Sequence, residues 1–430
     1  MTIPYTDISQ VYYDGAWHDP QAGTEPVINP ATEEVIAAAP VASAQQVDAA
    51  IAAAREAFDH GPWPRMSMGE RADMVEKMAR ALRAKHAQIA QLIVAEVGCA
   101  AGTTHLMQVN NPLRLLEAAI GHARREQSER LPIDITPNPF APDGPRSIGG
   151  TTVVREPLGV VSAITGYNFP FLLNLAKIGP ALLAGCTMVL KPSPFTPFSA
   201  LLFGQVAEEI GLPAGVLNIV TGKDENMSGL IQNTDIAKVC FTGSVNGGKR
   251  MMEMASKTLT RVTLELGGND AAIFLEDAVI DDTHLDRLYA AIYDTTGQIC
   301  MNAKRVYVHR SRLDEVVNGL SDRLSKAVIG YGLDEGTTMG PLHSSAQKAF
   351  VEELIQEAKD AGADVREFGE LPGGELAGGN FMRPAIVVDP DPNLRVVTME
   401  QFGPVIPIIP FDTEEDAIRL ANDTWAGLCG

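Results

Sequence analysis

The chain has 430 residues, which corresponds to roughly three domains at ~150 residues each. Apolar residues make up 45% and charged residues 20% of it, a globular composition that excludes disorder as the main state. Acidic side chains outnumber basic ones 54 to 34, and the net charge of -20 argues against nucleic acid or an anionic membrane surface as the main partner.

The opening MTIPYTDISQ has neither a basic n-region nor an apolar h-region, so no signal peptide is expected. The most apolar long stretch, 169–190, contains Asn174, Lys177 and Gly179-Pro180, which disfavours a membrane span. The cysteines are Cys99, Cys186, Cys240, Cys300 and Cys429. They are scattered, odd in number and without a CxxC, so neither a disulfide framework nor a metal site is expected, and a cytoplasmic location is.

Residues 1–40 read as short strands and turns. Ser43 with Gln46 and Ser67 with Glu70 have capping-box spacing and open two helices. The first carries Val47, Ile51, Ala54 and Phe58 on one face, and the second Met74, Met78 and Leu82. Residues 131–150 are rich in Pro and Gly and interrupt the helical pattern. After them, apolar runs at 159–164, 186–191, 216–220, 238–242 and 261–266 alternate with helical stretches at 171–184, 198–210, 225–232 and 246–258. That alternation predicts βαβ units and a parallel sheet, with ligands beyond the carboxyl ends of the strands. From 267 a second α/β region begins, with strands at 271–275 and 305–310. Ser344 with Gln347 opens a helix bearing Phe350, Val351, Leu354 and Ile355, and Asp412 with Glu415 opens another.

No G-x-G-x-x-G follows the first strand. FTGSVNGG (241–248) lies between a strand and a helix, and its glycines would let backbone amides approach a pyrophosphate. A plain Gly-rich turn explains the segment equally well. Lys191 ends its strand and could hold phosphate or ribose oxygens, although a solvated charge is the stronger reading taken alone. Cys186 and Cys240, inside strands, read as small hydrophobes. Cys300, set among Gly, Gln and Asn, could be exposed by a turn and act as a nucleophile. Glu265 and Glu400 are candidate bases, with a salt-bridged structural glutamate as the competing reading.

ITGYNFP (164–170), LKPSP (190–194), FTGS (241–244), LELGGN (264–269), GQIC (297–300) and EQFGPV (400–405) together resemble the ordered motif series of the NAD(P)-dependent aldehyde dehydrogenase superfamily. The resemblance implies an α/β fold with a Rossmann-type cofactor domain (1–125 and 153–265), an oligomerisation hairpin (126–152) and an α/β catalytic domain (266–430). It implies that Cys300 is the catalytic thiol and Glu265 the base that activates water. Asn168 would be an oxyanion donor, with Lys177 near the proton path. NAD, with NADP possible, would be held by Ile164, Thr165, Lys191, Ser193, Gly222, Phe241, Thr242, Gly243, Ser244, Gly247, Gly248, Leu266, Gly267, Glu400 and Phe402. The expected substrate is a small aldehyde, released as its acid by hydrolysis, and the expected assembly a homodimer or homotetramer.

Three departures stand out. Gly166 and Tyr167 replace the usual Pro and Trp, and Pro194 replaces a glutamate that binds ribose hydroxyls in many members. The chain stops at AGLCG, where members continue, so the catalytic domain is expected to be C-terminally incomplete. A truncated, non-catalytic cofactor-binding protein is the rival reading. A CoA-acylating member is disfavoured, because those generally lack the glutamate of LELGG.

Overall fold

The structure is a computed structural model that describes residues 3–125, 128–141 and 143–430, with the side chain of Asp224 left aside. Residues 126, 127 and 142 of the expected hairpin segment, and the first two residues, lie outside the described residues.

Two sheets organise the chain. The first has seven strands in the order Arg261–Glu265, Ile236–Thr242, Val160–Ile164, Thr187–Lys191, Leu217–Ile219, Val11–Tyr13 and Ala16–His18. The first five of these run parallel. The strand Val160–Ile164 is buried throughout, because helices cover both faces of the sheet. On one face Val161, Ala163, Met188 and Leu190 pack with Phe171, Leu175 and Ile178 of the helix Pro170–Leu183. On the other, Val160, Ile164, Val189 and Val239 pack with Val47, Ile51 and Ala54 of the helix Ala44–Asp59. Strands buried on both faces read as continuous apolar runs, which is why the sequence pattern locates them.

The chain winds outward in one direction from Val160–Ile164 and then in the other from Ile236–Thr242, so those two neighbours flank the switch point of a Rossmann-type sheet. Register aligns Lys191, Ile164 and Phe241 in one row, and Thr242 faces Glu265. The expected site residues at these strand ends therefore share one edge.

The second sheet has the order Asp270–Phe274, Ala303–His309, Val405–Phe411, Ala385–Val388 and Asp364–Glu367, with only the last pairing antiparallel. Within the segment 126–152 the chain forms Asp134–Thr136 against Ser147–Gly149, and Glu129–Arg130 pairs with Thr152–Val153, of which only Val153 lies past the segment.

Both predicted capping boxes form at Ser43 and Ser67. The last helix, Glu414–Asn422, starts one residue later than predicted. Thr413, not Asp412, caps it by accepting from the Asp416 amide, and Asp412 pairs with Arg310 instead. Its carboxyl end is held by Arg305, a buried guanidinium that donates to the carbonyls of Leu420, Ala421 and Asp423. Leu420 O also accepts from the Asp423 amide at 3.2 Å, and a cation suits that end of the helix dipole.

Glu96 performs the opposite service for the helix Phe198–Ile210. Its buried carboxyl accepts from the amides of Phe198 (2.8 Å) and Ser199 (3.1 Å) and from the Ser199 hydroxyl. Burial outweighs these bonds and pushes the carboxyl up to about 8. A glutamate in the unfolded chain titrates near ~4.3, so between these values the folded state holds the extra proton. Its contribution is complete below the unfolded value and is lost as pH rises through the folded one. Glu96→Gln, uncharged at every pH, should show a shallower fall in Tm than wild type between about pH 6 and 9. Thermal melts across that range check this, and parallel curves would reject it.

Candidate active site

Cys300 sits on a turn, half-buried, just before the strand Ala303–His309. The approach to it is unusual. Thr295, Thr296 and Gly297 have φ of 52°, 57° and 73°, three left-handed residues in a row. Two are β-branched, for which this region is a true outlier, at ~1–3 kcal/mol each. Side chains over-determine the turn. Thr296 Oγ1 donates to Gly340 O at 2.9 Å, and Gln298 Nε2 donates to Thr295 O at 3.2 Å. Gln298 Oε1 accepts from the His343 amide at 3.0 Å. Lys304 Nζ donates to the carbonyls of Gly297 and Ile299.

Asn168 arrives from the loop after Val160–Ile164. Its Nδ2 donates to Gln298 O at 2.9 Å, which sets the amide beside the cysteine turn. The backbone amides of Met301 and Cys300 are directed at the sulfur and favour its ionisation, but burial dominates and raises the thiol pKa.

Glu265 ends its strand exposed, and forms no side-chain hydrogen bond or ion pair among the described residues. The salt-bridged reading of this residue is therefore not what the structure shows. Lys177 donates to Thr242 Oγ1 at 2.7 Å, beside Glu265, and burial lowers its pKa. Glu400 Oε1 accepts from the Gly268 amide at 3.2 Å, and burial raises its pKa. The glycine pair of LELGG is needed for this packing. A Cβ at Gly267 would strike the Glu400 carboxylate, and one at Gly268 would fall 2.6 Å from both Cys300 O and Asp270 Oδ2.

One cavity of about 970 Å³ gathers Cys300, Asn168, Glu265, Lys177, Thr242, Gly243, Ser244, Leu266, Gly267, Glu400 and Phe402. Ile164, Thr165, Lys191, Ser193, Gly222, Phe241, Gly247 and Gly248 do not line it. They lie at or just beyond the strand ends, or in the first turn of the helix Val245–Ser256. Lys191 is buried, which removes the reading of a solvated charge. Cys186 and Cys240, expected as core residues, both reach the cavity wall.

The arrangement suits a dinucleotide. Ser244 caps the twelve-residue helix Val245–Ser256 by accepting from the Gly247 amide, placing a helix N-terminus at the sheet's switch point. Gly243 and Gly247 are packed so closely on Phe241 that a Cβ would come within 2.6 and 2.7 Å of its ring. Among the described residues no cluster of three His, Cys, Asp or Glu could hold a metal, and no helix is long and apolar enough to cross a membrane.

Residues 17–430 match the model of the aldehyde dehydrogenase family. The chain belongs to that family. Aldehyde oxidation with NAD(P) is the activity that goes with this membership, and the mixed α/β fold with its Rossmann-type sheet is shared with solved aldehyde dehydrogenases. The chain is 36% identical to 3-succinoylsemialdehyde-pyridine dehydrogenase of a Pseudomonas species, over 99% of this chain and 86% of that protein. It is 36% identical to the NADP(+) succinate-semialdehyde dehydrogenase GabD of Escherichia coli, over 97% and 84%. A Mycobacterium tuberculosis aldehyde dehydrogenase solved with NAD+ superposes with a TM-score of 0.89 at 36% identity, covering 98% of this chain and 84% of that one.

Gln108 was not legible as a site residue of this aldehyde dehydrogenase. It lies in a π-helical turn, Thr104–Asn110, fully buried, and its Nε2 donates to Asn168 O at 2.9 Å. Its Oε1 has no partner among the described residues, an arrangement that costs about 1–3 kcal/mol. A widened helical turn at such a place is a common mark of a functional constraint. Gln347, read as a capping residue, also bridges to the carbonyls of Gln401 and Phe402 and so fixes the loop that carries Glu400. Gln108→Leu removes both the unpaired oxygen and the hold on Asn168. The expected result is a Tm no lower than wild type with aldehyde oxidation slowed about tenfold, read by melting and NADH formation on the same sample. Unchanged turnover would separate Gln108 from the site.

Proposed function

We propose that Cys300 is the nucleophile, Asn168 an oxyanion donor and Glu265 the hydrolytic base of this aldehyde dehydrogenase. The observation that carries the reading is their meeting in one cavity with Glu400 and Phe402. The Cys300 sulfur attacks the aldehyde carbon, and the carbonyl oxygen becomes the oxyanion of a thiohemiacetal. Asn168 Nδ2 and the Cys300 amide are the donors assigned to that oxyanion, each such donor being worth ~3 kcal/mol. Nicotinamide, when bound, accepts a hydride. Glu400 and Phe402 would hold the nicotinamide half, and Lys191, Ser193 and the 243–248 loop the adenosine and pyrophosphate half. The thioester left on Cys300 is opened by water whose proton passes to Glu265, releasing the carboxylic acid and restoring the thiol. Lys177, bonded to Thr242 next to Glu265, lies on the route by which that proton departs.

The cavity wall includes Phe169, Leu172 and Leu173, with Ile299 and Met301 on either side of Cys300. Its only cations among the described residues are Lys177, committed to Thr242, and Lys238. This supports an aldehyde with an apolar substituent, alkyl or aryl, over a carboxylate-bearing one such as the succinate semialdehyde in the name of the Escherichia coli relative. NADH formation at 340 nm with alkyl, aryl and semialdehyde substrates, each with NAD and NADP, tests the reading. Cys300→Ala should abolish turnover and leave cofactor binding intact, while Glu265→Gln should give a burst of NADH followed by a slow steady state. Full turnover by Cys300→Ala, or an unchanged steady state in Glu265→Gln, would remove the respective role.

The partner best suited to the segment 126–152 is a second copy of this chain. Ile133, Ile135, Phe140 and Ile148 are exposed there, Phe140 at 96%, an apolar surface that the described residues leave open. Phe140→Asp should shift the assembly toward monomer in sedimentation velocity, and an unchanged sedimentation coefficient would count against this surface.

A further inference from the structure

Lys304 stands four residues after Cys300, in the strand Ala303–His309, and its side chain is buried. Burying an ammonium is unfavourable unless hydrogen bonds and opposite charge compensate it. Its hydrogen bonds go to the cysteine turn, 3.3 Å to Gly297 O and 2.7 Å to Ile299 O. Those carbonyls lie on either side of Gln298, so the lysine grips the chain between the left-handed turn and Cys300. Its Nζ also lies 5.3 Å from the centre of the Phe402 ring. The titratable groups facing it are Cys300, Glu400 from the loop before Val405–Phe411, and Asp270 from the neighbouring strand Asp270–Phe274. Asp270 Oδ2 is buried without a hydrogen-bond partner.

We propose that Lys304 is a positioning residue for the nucleophile, holding the turn through Gly297 and Ile299 and supplying the positive charge that stabilises the Cys300 thiolate. This rests on the reading of Cys300 as nucleophile. Of the charged side chains that act on the thiol, Glu400 opposes ionisation and Lys304 favours it. Burial pulls Lys304 down to about 8, against the pull of Glu400, Cys300 and Asp270. A lysine titrating there is still mostly charged at neutral pH, and formation of a thiolate nearby strengthens that charge. In a water-poor site such a charge acts over a longer distance than it would in solvent.

A purely mechanical staple would need the N–H donors but not the charge. Lys304→Gln keeps donors and loses the charge, whereas Lys304→Met loses both. The readout is the pH dependence of alkylation by iodoacetamide in the full chain, with peptide mass mapping to separate Cys300 from Cys99, Cys186, Cys240 and Cys429. Both variants should raise the Cys300 midpoint by about one pH unit, slowing alkylation near neutrality about tenfold. Lys304→Arg should restore much of the rate. A wild-type midpoint in either uncharged variant overturns the electrostatic role, even where aldehyde turnover is reduced. The two readings fail separately. Turnover by Cys300→Ala removes the nucleophile, whereas an unshifted midpoint alongside an inactive Cys300→Ala removes only the role of Lys304.

Discussion

Everything at this site hangs on a piece of backbone that would not hold its shape alone. Two threonines and a glycine in left-handed conformation turn the chain sharply before Cys300, and the strain is met by bonds from distant parts of the sequence. Gly340 accepts from Thr296, His343 donates to Gln298, and Asn168 reaches across from the first sheet. The turn therefore exists only when both sheets are assembled. Its dependence on remote partners makes the position of Cys300 a property of the whole fold.

The surroundings are arranged to keep most charge out of that turn. His343 is buried against Tyr167 and Phe195, and burial lowers its pKa to about 4, so its ring is neutral at ordinary pH. Tyr167 is pushed well above its ordinary value by burial and by Glu400. The aromatic wall next to Asn168 is thus uncharged, and the ionisable groups close to the sulfur are those contributed by Glu400 and Lys304. Gly166 and Tyr167, the departures from the usual Pro and Trp, fall within this wall rather than at the reacting atoms.

The sequence made the alternating strands and helices readable because parallel strands covered on both faces become unbroken apolar runs, as in VVSAI. Helix starts were readable where a hydroxyl stands three residues before an acceptor, as at Ser43 and Ser67. The same rule misplaced the last helix start, since Asp412 and Thr413 both offer that spacing and the ion pair with Arg310 decides between them. Cys300, Glu265 and Asn168 were singled out by motif, and the structure gathers them around one cavity. Gln108 carried no signal, because its role comes from a π turn that periodicity cannot show, and from a contact 60 residues away. Lys191, taken alone, was misjudged for a related reason. Burial at a strand end depends on the loops folded over it, and those are set by distant residues.

Lys304 and Arg305 are consecutive in one strand and so point to opposite faces of its sheet. One grips the cysteine turn and the other the end of the last helix. Peeling that helix away would leave a guanidinium stranded in the interior without its carbonyls, at a cost no surface helix normally imposes. The helix Glu414–Asn422 is therefore not free to fray on its own. It should exchange its amide hydrogens in step with the strand Ala303–His309, as one cooperative unit that opens only when the floor of the cysteine turn opens with it.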